Sequence, residues 1–208
     1  MNDQIPSIVV CLRSGGDYKA KHVRALFNQI QKNTRNPFHF VCYSDEQVDE
    51  ISTIKLERNY PGWWSCAELW RHKGPTIAMG LDTIVKGNID GLLQIALNAK
   101  EDEFYLLDSF FHKDEWINGI QIWNGDWSWL YEEFDFEKLS QTHRGEENYL
   151  IETLIQRKAN IKSIQKKFPS ICGFKHHFKR GIKRDSIVIV FYGKPRPWET
   201  PLWRWVKK

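Results

Sequence analysis

An apolar run, Ile77 to Leu81, ends at a single acid, Asp82, after which the chain turns through Lys86, Gly87 and Asn88. A carboxylate at the end of a buried strand has two ordinary uses. It can accept hydrogen bonds from backbone N–H groups of the turn, or help hold a hard divalent cation such as Mn²⁺ or Mg²⁺, which takes oxygen ligands. A pair of acids two residues apart would favour the cation, but the earlier position is Gly80. Three other polar segments follow apolar runs in the same way. Arg13 to Tyr18 includes Gly15 and Gly16, whose missing side chains permit close backbone approach to a ligand. Ser44 and Asp45 follow the second run, and Tyr192 to Arg196 follow the last. In that last segment Pro195 and Pro197 hold the chain extended. Lys194 there is a point charge, and Arg196 a planar fork suited to phosphate. Each segment also has a plainer reading, as a strand-end turn or a basic loop stiffened by proline.

These residues need elements to carry them. Ser7 to Leu12 is a continuous apolar run, the pattern of a strand buried on both faces. From Ala20 to Lys32, Val23, Leu26, Phe27 and Ile30 recur at helical spacing, and Phe38 to Asp45 reads as a second strand, completing a βαβ unit. Further strands are predicted at Ile77 to Leu81, Phe104 to Asp108, Gly119 to Trp123 and Ser186 to Gly193. Helices are predicted at Ile89 to Leu97, Asp126 to Phe134 and Glu146 to Gln156. Strands alternating with helices predict one α/β domain over residues 1–208, with a mainly parallel mixed sheet flanked by helices. In such sheets ligands sit beyond the carboxyl ends of the strands. The four polar segments all fall there, so they are expected to converge on one crevice.

Composition narrows the class. The 208 residues carry a net charge of only +4, but it is unevenly spread. Lys162, Lys166, Lys167, Lys175, Lys179, Arg180, Lys183 and Arg184 fall in one stretch without an acid, while Glu101 to Glu147 is acid-rich. The basic stretch, Lys162 to Arg184, is either a solvated surface or a contact for a polyanion. Ten Trp are present; most are expected in the core or at its rim, although an indole face also suits a sugar ring or a base. Cys11, Cys42, Cys66 and Cys172 form no CxxC pair, and Cys172 with His176 and His177 lacks the second ligand pair that a zinc site needs. The N-terminus lacks the basic region and long apolar run of a signal peptide, and no stretch approaches a transmembrane span. A reducing, cytoplasmic setting and a monomeric domain are expected. The closing "PWETPLWRWVKK" mixes aromatic and basic residues, as a membrane or polyanion contact would, or as a tail strapping down the domain.

The order of these landmarks resembles the GT-A-fold glycosyltransferases, in particular the family 8-like group and its bacterial and phage relatives. "VVCLRSGGDYKAKHVRALFNQI" resembles their first strand, donor loop and first helix, and "PFHFVCYSDE" their second strand with its terminal acid. "PGWWSCAELW" is similar to their Gly-Trp-Trp-Ser segment, and "GLDTIVKGNIDGLL" occupies the place of their metal-binding Asp-x-Asp. "INGIQIWNG" resembles the strand lining the acceptor side, "GEENYL" a Gly-Asp-Gln helix start, and "FYGKPRPWE" the closing "FHGKPRPW". The likeness covers most of the chain in collinear order.

The resemblance implies a nucleotide-sugar donor and transfer of a hexose or related sugar to an acceptor, whether saccharide, protein or DNA. It implies a donor-binding part over about residues 1–100, with the acceptor side and closing segment over about 101–208. Arg13, Gly15, Gly16, Tyr18, Asp45, Trp64, Tyr192, Gly193, Lys194 and Arg196 would bind the donor, with Asp45 over its base or ribose. Asp82, Asn118 and Glu146 would serve catalysis, and Asp82 would help hold Mn²⁺ or Mg²⁺. Three positions depart from the pattern. Gly80 replaces the first acid of the metal motif, Tyr192 replaces a closing His that commonly ligates the metal, and Cys66 stands where a basic residue is usual. Basic side chains, Lys194 and Arg196, are therefore expected to take over part of the metal's work. Two rival readings stand beside this one: a phage-type enzyme glycosylating DNA bases through its basic stretch, and a catalytically degenerate protein that keeps the fold for binding.

Overall fold

The computed structural model describes residues 4–178, 181 and 185–205; of residues 178, 204 and 205 only the backbone is described. Its strands are β1 (Ser7–Leu12), β2 (His39–Ser44), β3 (Ser52–Lys55), β4 (Thr76–Met79), β5 (Thr83–Val85), β6 (Glu103–Asp108), β7 (Trp116–Trp123), β8 (Asn160–Ser163), β9 (Ile171–Gly173) and β10 (Val188–Val190). Seven of them form one sheet in the order β3-β2-β1-β4-β7-β6-β8. β7 runs antiparallel to both neighbours, and every other pairing in this sheet is parallel. The expected α/β architecture with a mainly parallel mixed sheet is therefore the observed one.

The central strand explains its own composition. Ile8, Val10 and Leu12 face a core with Val23, Leu26 and Ile30 of helix α1 (Ala20–Lys32) and Leu92, Leu93 and Ala96 of helix α2 (Asp90–Asn98). Val9 faces a second, aromatic core containing Tyr43, Trp64, Trp70, Phe104, Trp123 and Tyr149. Alternate residues of a strand point to opposite faces, so a strand covered on both must be apolar throughout. Trp70 and Trp123 are fully buried. Their indole N–H groups donate to Gln121 Oε1 at 2.9 Å and to the His72 carbonyl at 3.1 Å, as buried indoles require.

The last predicted strand behaves differently from expectation. Only Val188–Val190 is strand, and it lies in a separate three-stranded sheet, β5-β10-β9, antiparallel to β5 and parallel to β9. This small sheet returns the chain to Asp82, whose carbonyl accepts from Phe191 N at 3.2 Å. The predicted helix over Asp126 to Phe134 shortens to Trp129–Glu132, followed by a second short helix, Phe136–Leu139. The Trp-rich stretch Gly62–Arg71 folds as 3-10 helix. No helix among the described residues is long and apolar enough to cross a membrane.

Candidate functional site

The carboxyl ends of β1 and β2 lie side by side because the strands pair in register, Leu12 against Ser44. The next residues therefore meet. Asp45 accepts from Ser14 N at 2.8 Å, from the Ser14 hydroxyl and from Arg13, and Arg13 also donates to Asn59. Partial burial works against the Asp45 charge, but the Ser14 hydrogen bonds and the Arg13 guanidinium outweigh it and hold the carboxyl below its ordinary range. Gly15 and Gly16 are exposed, and Gly15 adopts φ +84°, a left-handed conformation that favours glycine.

At the end of β4, Asp82 is buried. Its Oδ2 accepts from the Tyr18 hydroxyl at 3.0 Å and from Arg196 Nη1 at 3.0 Å. Burial lifts the Asp82 carboxyl above its ordinary range, against the Tyr18 hydrogen bond and the Arg196 charge. Burial, then the adjacent Asp82 charge, raises the Tyr18 phenol too, so it remains a hydroxyl donor. The glycine before this acid has a local reason. A Cβ on Gly80 would lie 2.7 Å from Asp82 Oδ1, so the Asp82 carboxylate fills the space that a side chain at position 80 would need.

Arg196 reaches Asp82 because the closing segment is clamped to α1. The Trp198 indole stacks on the His22 imidazole at 3.8 Å between centroids, with 5° between planes, and Trp203 meets both rings edge-on. His22 Nδ1 accepts the Lys19 backbone N–H at 3.0 Å. Burial first, then the charges of Lys21 and Lys19, push its pKa down to about 4, which keeps the stacked ring neutral. Arg196 itself donates through Nε to Asp17 at 3.4 Å and lies 4.8 Å from the Tyr18 ring centroid. The strap reading of the tail thus fits its described part. The side chains of Arg204 and Trp205, and Lys207 and Lys208 entirely, lie outside the described residues.

A second acidic corner forms where β7 meets the helix Glu146–Gln156. Asn118 Nδ2 donates to Glu146 Oε1 at 3.0 Å, and Asn118 N donates to Glu147 Oε2 at 2.9 Å. Burial pushes Glu146 up to about 7 and raises Glu147 as well. Cys66 lies within electrostatic reach of both corners. Its thiol is raised first by a hydrogen bond with Cys11 and then by burial, and the charges of both Glu146 and Asp82 add to the shift.

Two expected site residues, Tyr192 and Trp64, are taken up by aromatic packing instead. Tyr192 packs its ring against Phe110 and Phe111, with its hydroxyl over Gly173, where a Cβ would lie only 2.2 Å away. Trp64 is buried against Phe134 and Phe136, so it packs the core, whereas Trp63 is 62% exposed. Gly193 adopts φ +68°, and Lys194 is exposed. Of the basic stretch, Lys167 donates to the Tyr105 hydroxyl at 3.0 Å, and Lys179, Arg180, Lys183 and Arg184 lie outside the described residues. Among the participants that were not expected are Asp17 and Glu147. Each is sequence-adjacent to a named candidate, Tyr18 and Glu146, and that adjacency was the one available signal. Among the described residues no three His, Cys, Asp or Glu side chains gather as a metal site.

No family model and no curated protein matches the sequence. Solved structures do match the fold. The glycosyltransferase GlyE of Streptococcus pneumoniae superposes with a TM-score of 0.70 at 10% identity, over 99% of this chain and 61% of GlyE. Mouse xyloside xylosyltransferase 1 superposes with a TM-score of 0.60 at 8% identity, over 92% of this chain and 99% of its own. For an active-site mutant of LgtC the values are 0.54 and 10%, over 97% and 94% of the two chains. This chain thus spans about three fifths of GlyE and nearly all of the latter two. Its α/β fold, with one antiparallel strand in an otherwise parallel sheet, is the fold of these glycosyltransferases.

Proposed function

We propose that the protein is a glycosyltransferase that moves a sugar from a nucleotide-sugar donor to an acceptor hydroxyl. The observation that carries this reading is the convergence of Tyr18, Asp82 and Arg196 beside Asn118 and Glu146, at the strand ends of a fold that glycosyltransferases share. In this reaction the bond between the anomeric carbon and the diphosphate oxygen breaks, and the acceptor oxygen bonds to that carbon. The leaving nucleoside diphosphate gains negative charge, which preorganised positive groups must meet. Arg196 and Lys194 supply that charge, and the glycine turn at Gly15 and Gly16 admits the donor closely. Asp45, set by Ser14 and Arg13, takes the base or ribose. The acceptor proton passes to a carboxylate, and Glu146, with a pKa pushed up to about 7, is suited to receive it. In this reading the donor rests on residues 1–100 together with the closing segment, and the acceptor on the remainder.

Thermal melting of the full chain against a panel of nucleotide sugars tests the reading. The correct donor at a hundred times its Kd should add about 2.7 kcal/mol, and turnover should release the nucleoside diphosphate when an acceptor is supplied. No stabilisation by any donor overturns it. Stabilisation without turnover supports a binding-only protein instead, a reading favoured by Gly80 and by the aromatic packing of Tyr192. A DNA-base acceptor rests on the Lys162 to Arg184 stretch alone. Contact with DNA there should weaken steeply as salt rises.

A further inference from the structure

We infer that Arg196 holds the donor diphosphate in place of a divalent cation, and that Asp82 is the anchor of Arg196 rather than a metal ligand. The inference rests on the glycosyltransferase reading and deepens it. Glycosyltransferases of this fold are expected to bind Mn²⁺ or Mg²⁺ through an acid pair, so the residues at that place can be compared with what the cation needs. They do not fit. Hard cations want several oxygen ligands, carboxylates foremost, and position 80 supplies none. The space there is already filled by Asp82 Oδ1, since a Cβ on Gly80 would come within 2.7 Å of it. The other oxygen of Asp82 is engaged by Tyr18 and Arg196, each at 3.0 Å. A dication at Asp82 would share its one carboxylate with a guanidinium. Tyr192, where a third ligand is expected, sits among Phe110 and Phe111 instead, with its phenol pushed up to about 12 by burial.

The Arg196 guanidinium bridges two carboxylates, Asp82 at 3.0 Å and Asp17 at 3.4 Å. The fork is also held before any ligand arrives. Asp82 takes one N–H from Nη1 and Asp17 the N–H from Nε; Tyr18 lies against the guanidinium, and Glu199 accepts the Arg196 backbone N–H at 2.7 Å. A guanidinium has five N–H donors, so three remain for diphosphate oxygens. The Trp198–His22 stack fixes the segment that carries it, so little side-chain entropy is left to lose on binding. Lys194, exposed on the same segment, is not held in this way.

Isothermal titration calorimetry of the full chain with UDP, GDP, ADP, CDP and dTDP, in EDTA and in Mn²⁺, tests the inference. One nucleoside diphosphate should bind in EDTA with a Kd within about twofold of its value in Mn²⁺. R196Q should weaken that binding about 10- to 100-fold, the range for losing charge-assisted hydrogen bonds, while leaving binding of the matching nucleoside, which lacks phosphates, unchanged. R196K, which keeps the charge but not the fork, should fall between; it also serves if R196Q folds poorly. Binding in Mn²⁺ that EDTA abolishes overturns the inference and leaves the glycosyltransferase reading standing. Binding in EDTA that R196Q does not weaken overturns it too. Failure of every nucleoside diphosphate to bind in either buffer overturns both.

Discussion

Two buried carboxylates, Asp82 and Glu146, have been given opposite company. Asp82 meets a guanidinium and a phenol. Glu146 accepts from the Asn118 amide, with the like charge of Glu147 close by. Both are desolvated, and burial is the largest cause of shift for each. The difference is in what burial does next. A charge paired with an opposite charge becomes part of the scaffold, and removing one partner strands the other. A carboxylate paired with an amide keeps a proton within easy reach at neutral pH, as acid–base chemistry requires. In the proposed reading the first corner holds charge still, and the second lets a proton move.

The sharpest test of that contrast is E146Q. If Glu146 receives the acceptor proton, the variant should lose about 10²- to 10⁴-fold in transfer rate, and the wild-type rate should rise with pH through about 7. Stability should move the other way. The Glu146 pKa of about 7 in the folded chain lies above its ordinary value of 4.5, so the folded state binds the extra proton. The penalty for ionising it is absent below pH 4.5 and grows as pH rises through 7, reaching about 3 kcal/mol. E146Q should therefore unfold at higher urea than wild type at pH 8, with the gap closing by pH 4.5.

D82A should do the reverse. It leaves the Arg196 guanidinium, only 14% exposed, without its buried partner, at a cost of about 3 kcal/mol at pH 7. Equilibrium urea unfolding of the two variants side by side reads the comparison directly. Shifts of the same sign at pH 8 would break it. The smallest effect is expected from G80A, whose Cβ would crowd Asp82 Oδ1 at 2.7 Å. A loss of about 1–3 kcal/mol together with weaker nucleoside diphosphate binding would tie the glycine to the Asp82–Arg196 geometry. An unchanged melting temperature would show that Asp82 moves aside freely.

Much of the frame was legible in the residues. The continuous apolar run of β1, the helical spacing of α1 and the apolar second strand matched the observed elements closely, because a centrally buried strand and an amphipathic helix both write their surroundings into their composition. β3 was not legible. Ser52–Lys55 is a polar edge strand, held by pairing with β2 rather than by apolar burial. β5, β8 and β9 are three or four residues long, too short to show a period. Glu147 escaped for a related reason. Adjacent residues on a helix face different directions, and only Asn118, donating from both backbone and side chain, brings Glu146 and Glu147 onto one strand.

From sequence alone, the chemical inventory was settled: a lone acid after an apolar strand, a Pro-flanked arginine near the end of the chain, and a glycine where a second acid would otherwise stand. Which groups face one another was a matter for the tertiary structure. Asp82 and Arg196 are 114 positions apart, and no local pattern encodes their meeting. It follows from β5 pairing with β10, and from Trp198 stacking on His22. The same holds for charge state. A side-chain type sets an ordinary pKa, but burial and neighbours set the actual one. Burial raises both Asp82 and Glu146, but Asp82 has the Arg196 guanidinium beside it to offset the shift and Glu146 has an amide, although each is only a carboxylate in the sequence.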